Sequence, residues 1–261
     1  MKSEILNTNE LTHFFGEKFE FIDSGFSTGQ FNMDFDVQRT IDVAEGKALP
    51  MFRVYGWIPW AVSLGYNQKE EDIDKEKCEK KGFDLVRRPT GGRAVLHANE
   101  ITYSVVVNLP DGRTIHDIYR EIHTILLKAF ISMGCKNIGF QKAQTDFREH
   151  YKSPGMSVSC FTSSARYEIE YEGRKVVGSA QRLFGKTLLQ HGSILLSKGH
   201  EQIADVIKSK NESDREKLRG YLSNHSSTLE ESASREISHD ECRETILKIF
   251  KDGSMNSFFF E

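Results

Sequence analysis

The chain has 261 residues, 38% of them hydrophobic and 28% charged, with a net charge of −3 from 35 basic and 38 acidic residues. This is the profile of a folded globular chain rather than a disordered one. No basic stripe of the kind that binds nucleic acid is present. No run approaches the roughly 18 uninterrupted apolar residues that span a bilayer. Met1-Lys2-Ser3-Glu4 opens no apolar signal core, so residence in the cytoplasm is expected, with small molecules or other proteins as partners.

In chain order, Phe19–Asp23 alternates as a strand and Ser24-Gly25 closes it. Met33, Val37, Ile41 and Ala44 recur at helical spacing and predict a helix over 32–44. Met51–Trp57 reads as a strand, Ala61–Gly65 as a second short apolar run, and Glu70–Lys81 as a charged surface helix stopped by Gly82. Phe83–Arg88 is a strand running into Pro89-Thr90-Gly91-Gly92, where two glycines permit close backbone approach. Thr102–Leu109 has the β-branched composition of a buried strand. Ile115–Met133 is the clearest helix, with Ile118, Ile122, Ile125, Leu126 and Ala129 on one face. Arg166–Leu183 predicts a hairpin turning at Glu172-Gly173, and Leu188–Leu196 a further apolar strand. From His200 the chain reads as mainly helical, and 201–238 is its most polar stretch. Strands and helices mix without a βαβ period, so a mixed α+β sheet is expected rather than a doubly wound one. A single catalytic domain is expected over 1–261, its core about 17–200 and a short helical extension at 201–261.

Three segments can carry chemistry. Arg87-Arg88-Pro89-Thr90-Gly91-Gly92-Arg93-Ala94-Val95-Leu96-His97 brings arginine forks and backbone N–H groups to a glycine turn, able to hold a polarised oxygen. A tight turn with solvated arginines explains the same residues, and no Walker or dinucleotide pattern is present. In Lys175-Val176-Val177-Gly178-Ser179-Ala180, a lysine among strand residues can donate to a reacting carbonyl, or simply reach solvent. His191, before Gly192 in an apolar strand, reads as a structural group or a site group. The four cysteines, Cys78, Cys135, Cys160 and Cys242, are widely spaced with no CxxC. Reduced thiols and no metal site are therefore expected.

Together these segments resemble the lipoate/biotin protein ligase and lipoyl/octanoyl transferase superfamily. Further motifs lie in the matching order: Phe21–Gly25, Arg53-Val54-Tyr55-Gly56-Trp57, Ser63-Leu64-Gly65-Tyr66-Asn67-Gln68 and a late helix start at Ser227–Glu230. The chain is most similar to the LipM-type octanoyltransferases, which carry a cysteine before the hairpin, here Ser159-Cys160-Phe161 leading to Tyr167-Glu168. Ala165-Arg166 departs from that pattern, and the chain also departs from ligases of the LplA type at Thr90, Arg93, Leu96, Gln190 and Ser193.

The resemblance implies a biotin/lipoate ligase-like catalytic domain with a largely antiparallel sheet flanked by helices. It implies transfer of octanoyl from octanoyl-acyl carrier protein, through a Cys160 thioester, to the lysine of a lipoyl domain or glycine-cleavage H protein. Cys160 would be the nucleophile, and Lys175 the cation that steadies thiolate and oxyanion. Arg88, Thr90, Gly91, Gly92, His97, Gly178, Ser179, Ala180 and His191 would bind substrate, and Val95, Val177 and Leu189 would line an apolar tunnel. Neither cofactor nor membrane is expected, and the protein is read as a monomer. The alternatives are an ATP- and Mg2+-dependent lipoate–protein ligase, an amidotransferase drawing octanoyl from H protein, and a non-catalytic binder. Cys78, Cys135 and Cys242 are read as structural.

Overall fold

Two periodicities, 2.0 in the apolar runs and 3.6 between them, set the architecture. The computed structural model describes residues 1–141, 167–209 and 211–253. In chain order its elements are β1 (Lys2–Asn7), β2 (Lys18–Ser27), α1 (Gly29–Ala44), β3 (Met51–Trp57), β4 (Ala61–Leu64) and α2 (Lys75–Lys81). Next come β5 (Asp84–Arg87), β6 (Val95–His97), β7 (Glu100–Asn108), α3 (Ile115–Ser132) and β8 (Ile138–Phe140). The strands end with β9 (Ile169–Tyr171), β10 (Arg174–Lys175), β11 (Val177–Phe184) and β12 (Thr187–Leu195). The last helices are α4 (Ile203–Val206), α5 (Glu212–His225), α6 (Leu229–Ala233) and α7 (His239–Asp252).

The main sheet runs β1-β2-β3-β7-β12-β11, and two three-stranded sheets run β5-β4-β6 and β10-β9-β8. Pairing is antiparallel except at β2–β3 and β4–β5. The expected α+β fold with a mixed, largely antiparallel sheet flanked by helices is what the chain forms.

Alternation along β3 sends Phe52 and Val54 to one face of the main sheet, and Arg53, Tyr55 and Trp57 to the other. The first face meets the apolar side of α3 (Ile118, Ile122, Ile125, Leu126, Phe130) and Cys242, Ile246 and Phe250 of α7 in the largest core cluster. Helix α3 opens on a capping box between Thr114 and Asp117, which satisfies backbone donors otherwise left open. The second face meets α1.

Several expectations change in the structure. Strand β2 runs through Ser24-Gly25 to Ser27, absorbing the turn residues in an irregular register between Asp23 and Phe26. Helix α1 forms, but Val37 and Ile41 are exposed, and its buried side carries Asn32, Met33, Asp36, Thr40 and Val43. The apolar spacing therefore caught Met33 but not the rest of the buried face, because this helix meets polar groups of the site through Asn32, Asp36 and Thr40 as well as an apolar cluster through Val43. The charged segment at 70–81 divides into a 3-10 turn (Glu70–Asp72) and α2, capped by Asp74 and by Gly82 in the left-handed region. Strand β1 gave no alternating signal because it is an edge strand with only Leu6 buried. Strands β6 and β8, three residues each, are too short to announce themselves.

The polar stretch after His200 is docked: Ile203, Ala204, Val206, Leu218 and Leu222 pack with Val62, Leu64, Leu96 and Ala98 in a second core cluster. Among the described residues no helix is long and apolar enough to cross a membrane.

Candidate active site

Register places the candidate residues in rows across the sheet. Ala180, His191, Ser104 and Arg53 are successive partners on β11, β12, β7 and β3, and so are Gly178, Ser193, Thr102 and Tyr55. These rows face α1 and form the floor of a cleft. Met33, Trp57, Ser63, Arg88, Val95 and His97 form its opposite wall, around about 380 Å³ of atom-free space partly open to solvent.

The glycine loop is fixed from several sides. Arg88 donates from Nη1 to the Ser63 carbonyl (2.9 Å) and hydroxyl (3.0 Å). Its Nη2 donates to the carbonyls of Gly91 (2.8 Å) and Arg93 (2.7 Å). Arg87 donates to the carbonyls of Gly65 and Gln68, and Arg182 to that of Pro89 at 2.9 Å. The Tyr66 N–H donates to the Thr90 carbonyl at 2.9 Å. A Cβ on Gly65 would stand 1.9 Å from the Gly92 carbonyl oxygen, and Gly92 has φ 90°. The two glycines that matter are thus one on each side of this contact. Arg88 lines the cleft, yet its fork is engaged in shaping the loop.

Two histidines face each other across the cleft, each held by a buried carboxylate. His191 Nε2 lies 2.9 Å from Asp36 Oδ2, and Nδ1 lies 3.1 Å from Thr90 Oγ1. A carboxylate only accepts, so Nε2 carries the hydrogen toward Asp36, and Thr90 Oγ1 is the partner of Nδ1. Asp36 also accepts from Arg53 (2.9 Å), Ser104 (2.8 Å) and Tyr55 (3.2 Å). Burial raises its pKa, but Arg53, His191 and Ser104 outweigh that and hold the carboxyl below its ordinary value. Burial and the Asp36 charge push the Tyr55 phenol well above its ordinary value, so it stays a donor.

His97 donates from Nδ1 to Glu100 Oε1 at 2.7 Å. Its Nε2 accepts from Ser63 Oγ at 2.7 Å, the hydroxyl that already accepts from Arg88. The Trp57 ring stacks on His97 with centroids 4.0 Å apart, and its indole N–H donates to Thr102 at 2.7 Å.

Of the residues expected at the site, Arg88, His97, Gly178, Ser179, Ala180 and His191 line the cleft. Thr90 reaches it through His191, and Gly91 and Gly92 form the stapled loop. Lys175 does not line it; its buried ammonium bonds Glu168 Oε1 at 2.6 Å. Val95 lines the cleft, but Val177 and Leu189 do not. They point into core clusters on opposite faces of the sheet, because strand alternation turns one to each face.

Cys160 lies outside the described residues. The thiols of Cys78 and Cys135 are pushed up to about 11, chiefly by burial. Burial raises that of Cys242 further. All three are buried.

Ser63 lines the cleft, and Asp36 and Glu100 hold its two histidines; the sequence reading assigned none of the three a role. The available signal was the spacing of Asn32, Asp36 and Thr40, polar groups four apart on a helix that proves to face inward.

The family model of the lipoyl protein ligase A/B catalytic domain matches residues 28–251. Octanoyltransferase LipM of Anoxybacillus flavithermus is 38% identical over 243 residues, covering 91% of this chain and 86% of that one. The Bacillus subtilis protein of the same name is 36% identical over 241 residues, covering 91% and 85%. Among solved structures, a bi-partite lipoate protein ligase from Thermoplasma acidophilum superposes with a TM-score of 0.67 at 20% identity, covering 89% of this chain and 82% of that one. Lipoate-protein ligase A bound with ATP gives 0.65 at 19% identity, covering 89% and 84%. Likeness at such identities concerns the fold. With the family match spanning most of the chain, this protein belongs to the lipoyl protein ligase A/B catalytic-domain family.

Proposed function

We propose that the protein is an octanoyltransferase of lipoate biosynthesis, which moves an octanoyl group from octanoyl-acyl carrier protein to the lysine of a lipoyl domain or H protein. The observation that carries this reading is the 38% identity, over 91% of the chain, to a protein named for that activity. The cleft is compatible with it: a narrow channel walled by Met33, Trp57 and Val95, with the backbone of Gly178–Ala180 along its floor.

The chemistry needs no external energy source. Cys160, as thiolate, attacks the donor's thioester carbonyl. The tetrahedral oxyanion collapses, the carrier leaves as its thiolate, and octanoyl remains on Cys160. Exchanging one thioester for another is nearly isoenergetic. The acceptor amine, in its neutral form, attacks the new thioester; the Cys160 thiolate leaves, the extra N–H proton passes to solvent and an amide forms, a downhill step. Lys175, paired with Glu168 away from the described cleft lining, would supply positive charge to the developing oxyanion once Cys160 and the donor are in place. His191 and His97, oriented by Asp36 and Glu100, would hold the acyl group in place, and the stapled glycine loop would close over it. No cofactor enters these steps. Cys78, Cys135 and Cys242 are poor candidates for nucleophile, since a buried thiol with a raised pKa is scarcely ionised at neutral pH.

The test is transfer between octanoyl-carrier protein and an apo lipoyl domain with neither ATP nor Mg2+ present. Octanoyl amide formed under these conditions supports the reading. Product that appears only with free octanoate, ATP and Mg2+ overturns it in favour of a ligase.

A further inference from the structure

Behind the cleft floor a buried chain of hydrogen bonds ends on the backbone that holds Lys175. His123, on α3, belongs to no motif and is fully buried. Its Nδ1 lies 2.7 Å from the Tyr167 carbonyl oxygen, so Nδ1 carries the hydrogen and donates. Nε2 then accepts from Ser179 Oγ at 2.9 Å, with the Tyr103 hydroxyl 3.3 Å away. The Tyr103 hydroxyl lies 2.7 Å from Ser179 Oγ and accepts from the Gln190 amide at 2.7 Å. It reaches Ser179 by crossing Gly192, where a Cβ would stand 2.0 Å from Tyr103 Cε1. Ser179 and Gly192 both line the cleft. The ring is neutral: burial, with the Lys175 charge, pushes His123 down to about 3 against the opposing Tyr167 hydrogen bond.

At the far end, Tyr167 has φ 69°, a left-handed conformation costing a non-glycine residue roughly 1–2 kcal/mol. Glu168 follows directly. Its carbonyl accepts from the Gln141 N–H at 3.0 Å, and its carboxylate takes the Lys175 ammonium at 2.6 Å. Side-chain exposure is 5% for Lys175 and 4% for Glu168, so this carboxylate is a buried group that helps direct the ammonium. His123 grips the carbonyl one residue before it.

We propose that His123 is a positioning residue for Lys175. It locks the Tyr167 turn that presents Glu168 to the ammonium, and through Ser179 it ties that turn to the cleft floor. The proposal rests on the reading of Lys175 as the cation of the reaction. A histidine suits the post because, neutral, it donates on one side and accepts on the other across two elements. Phenylalanine fills the space but does neither, whereas a glutamine amide does both.

The test compares steady-state octanoyl transfer by His123→Phe, His123→Gln, Lys175→Ala and the double variant His123→Phe/Lys175→Ala, with thermal unfolding confirming that each is folded. His123→Phe is expected to lower kcat about 10- to 100-fold, the usual cost of losing a supporting hydrogen-bond partner. KM for the acyl donor should change less than about twofold, since no substrate contact is removed. His123→Gln should recover most of the rate. The double variant should be no slower than Lys175→Ala, because His123 acts only through Lys175. If His123→Phe does not fold, His123→Asn, too short to span both partners, takes its place. A folded His123→Phe with wild-type kcat overturns the positioning role, and so does a His123→Phe loss that adds in full to that of Lys175→Ala. Wild-type transfer by Lys175→Ala would instead sink the reading of Lys175 itself, and the positioning role with it.

Discussion

His191 and Asp36, 155 positions apart in the chain, meet at 2.9 Å beneath the cleft. Asp36 is fully buried and also accepts from Arg53, Ser104 and Tyr55. It therefore fixes the histidine's tautomer and neutralises an arginine that water does not reach. Replacing Asp36 with Ala leaves Arg53 without its counter-charge. Breaking a buried pair in this way costs about 3–5 kcal/mol. Urea unfolding should show a loss of that size, and a loss below about 1 kcal/mol would mean that Arg53 finds another partner.

His123 should shape the acid limb of stability. The unfolded ring takes up a proton near 6.5, whereas the folded one does so only near about 3. Between those values the unfolded state binds more protons, so stability falls as pH falls. The contribution is complete above 6.5 and drains away toward about 3, a change on the order of a few kcal/mol at about 1.4 kcal/mol per pH unit. Denaturant melts at pH 7, 5.5 and 4.5, all above the ordinary Asp36 value of 3.8, should show a steeper decline for wild type than for His123→Gln. Parallel declines would contradict the assignment.

Gly65 and Arg88 shape the glycine loop from opposite sides. Gly65→Ala forces a methyl group against the Gly92 carbonyl oxygen, and overpacking of this kind costs about 1–3 kcal/mol. Arg88→Lys keeps the charge but loses the fork that spans Ser63, Gly91 and Arg93. Both variants should raise KM for the acyl donor several-fold. Steady-state kinetics showing an unchanged KM for both would mean that the loop does not touch the acyl group.

Much of this was legible before the structure. Continuous β-favouring and apolar runs marked β3, β7 and β12, which are buried nearly throughout, and the 3.6-residue spacing in 115–133 marked α3, which buries an apolar face. Helix α1 was found, but of its predicted face Val37 and Ile41 are exposed while Met33 is buried. Its inward face carries Asn32, Asp36 and Thr40, and periodicity arguments assume that what is buried is apolar. Lys175 illustrates the same limit: sequence supplied the residue, but not the carboxylate 2.6 Å away that holds it. Val177 and Leu189 read as tunnel residues, yet strand alternation turns them into cores on opposite faces. His123 sat unnoticed on an apolar helix face, where an isolated histidine looks like filler. Contacts that join residues 36 with 191, or 123 with 167, exist only once the sheet is assembled.

The thiols offer a simple discrimination. Cys78, Cys135 and Cys242 are buried, with thiol pKa values pushed up to about 11 for the first two and higher for the third. Reactivity follows the thiolate. Iodoacetamide at pH 7 should therefore modify the folded protein once, at Cys160, and the denatured protein at all four cysteines. Labelling of Cys78, Cys135 or Cys242 in the folded state would contradict their burial.

The central claim, acyl transfer through Cys160, is tested most directly by intact-mass spectrometry. The protein is mixed with octanoyl-carrier protein and then with an apo lipoyl domain, without ATP. The expected result is one octanoyl increment on the wild-type protein, mapped to Cys160, which disappears as the lipoyl domain gains the same mass. Cys160→Ala should show neither change. An acceptor that gains octanoyl just as fast with Cys160→Ala, or an increment mapped to another residue, would contradict the account.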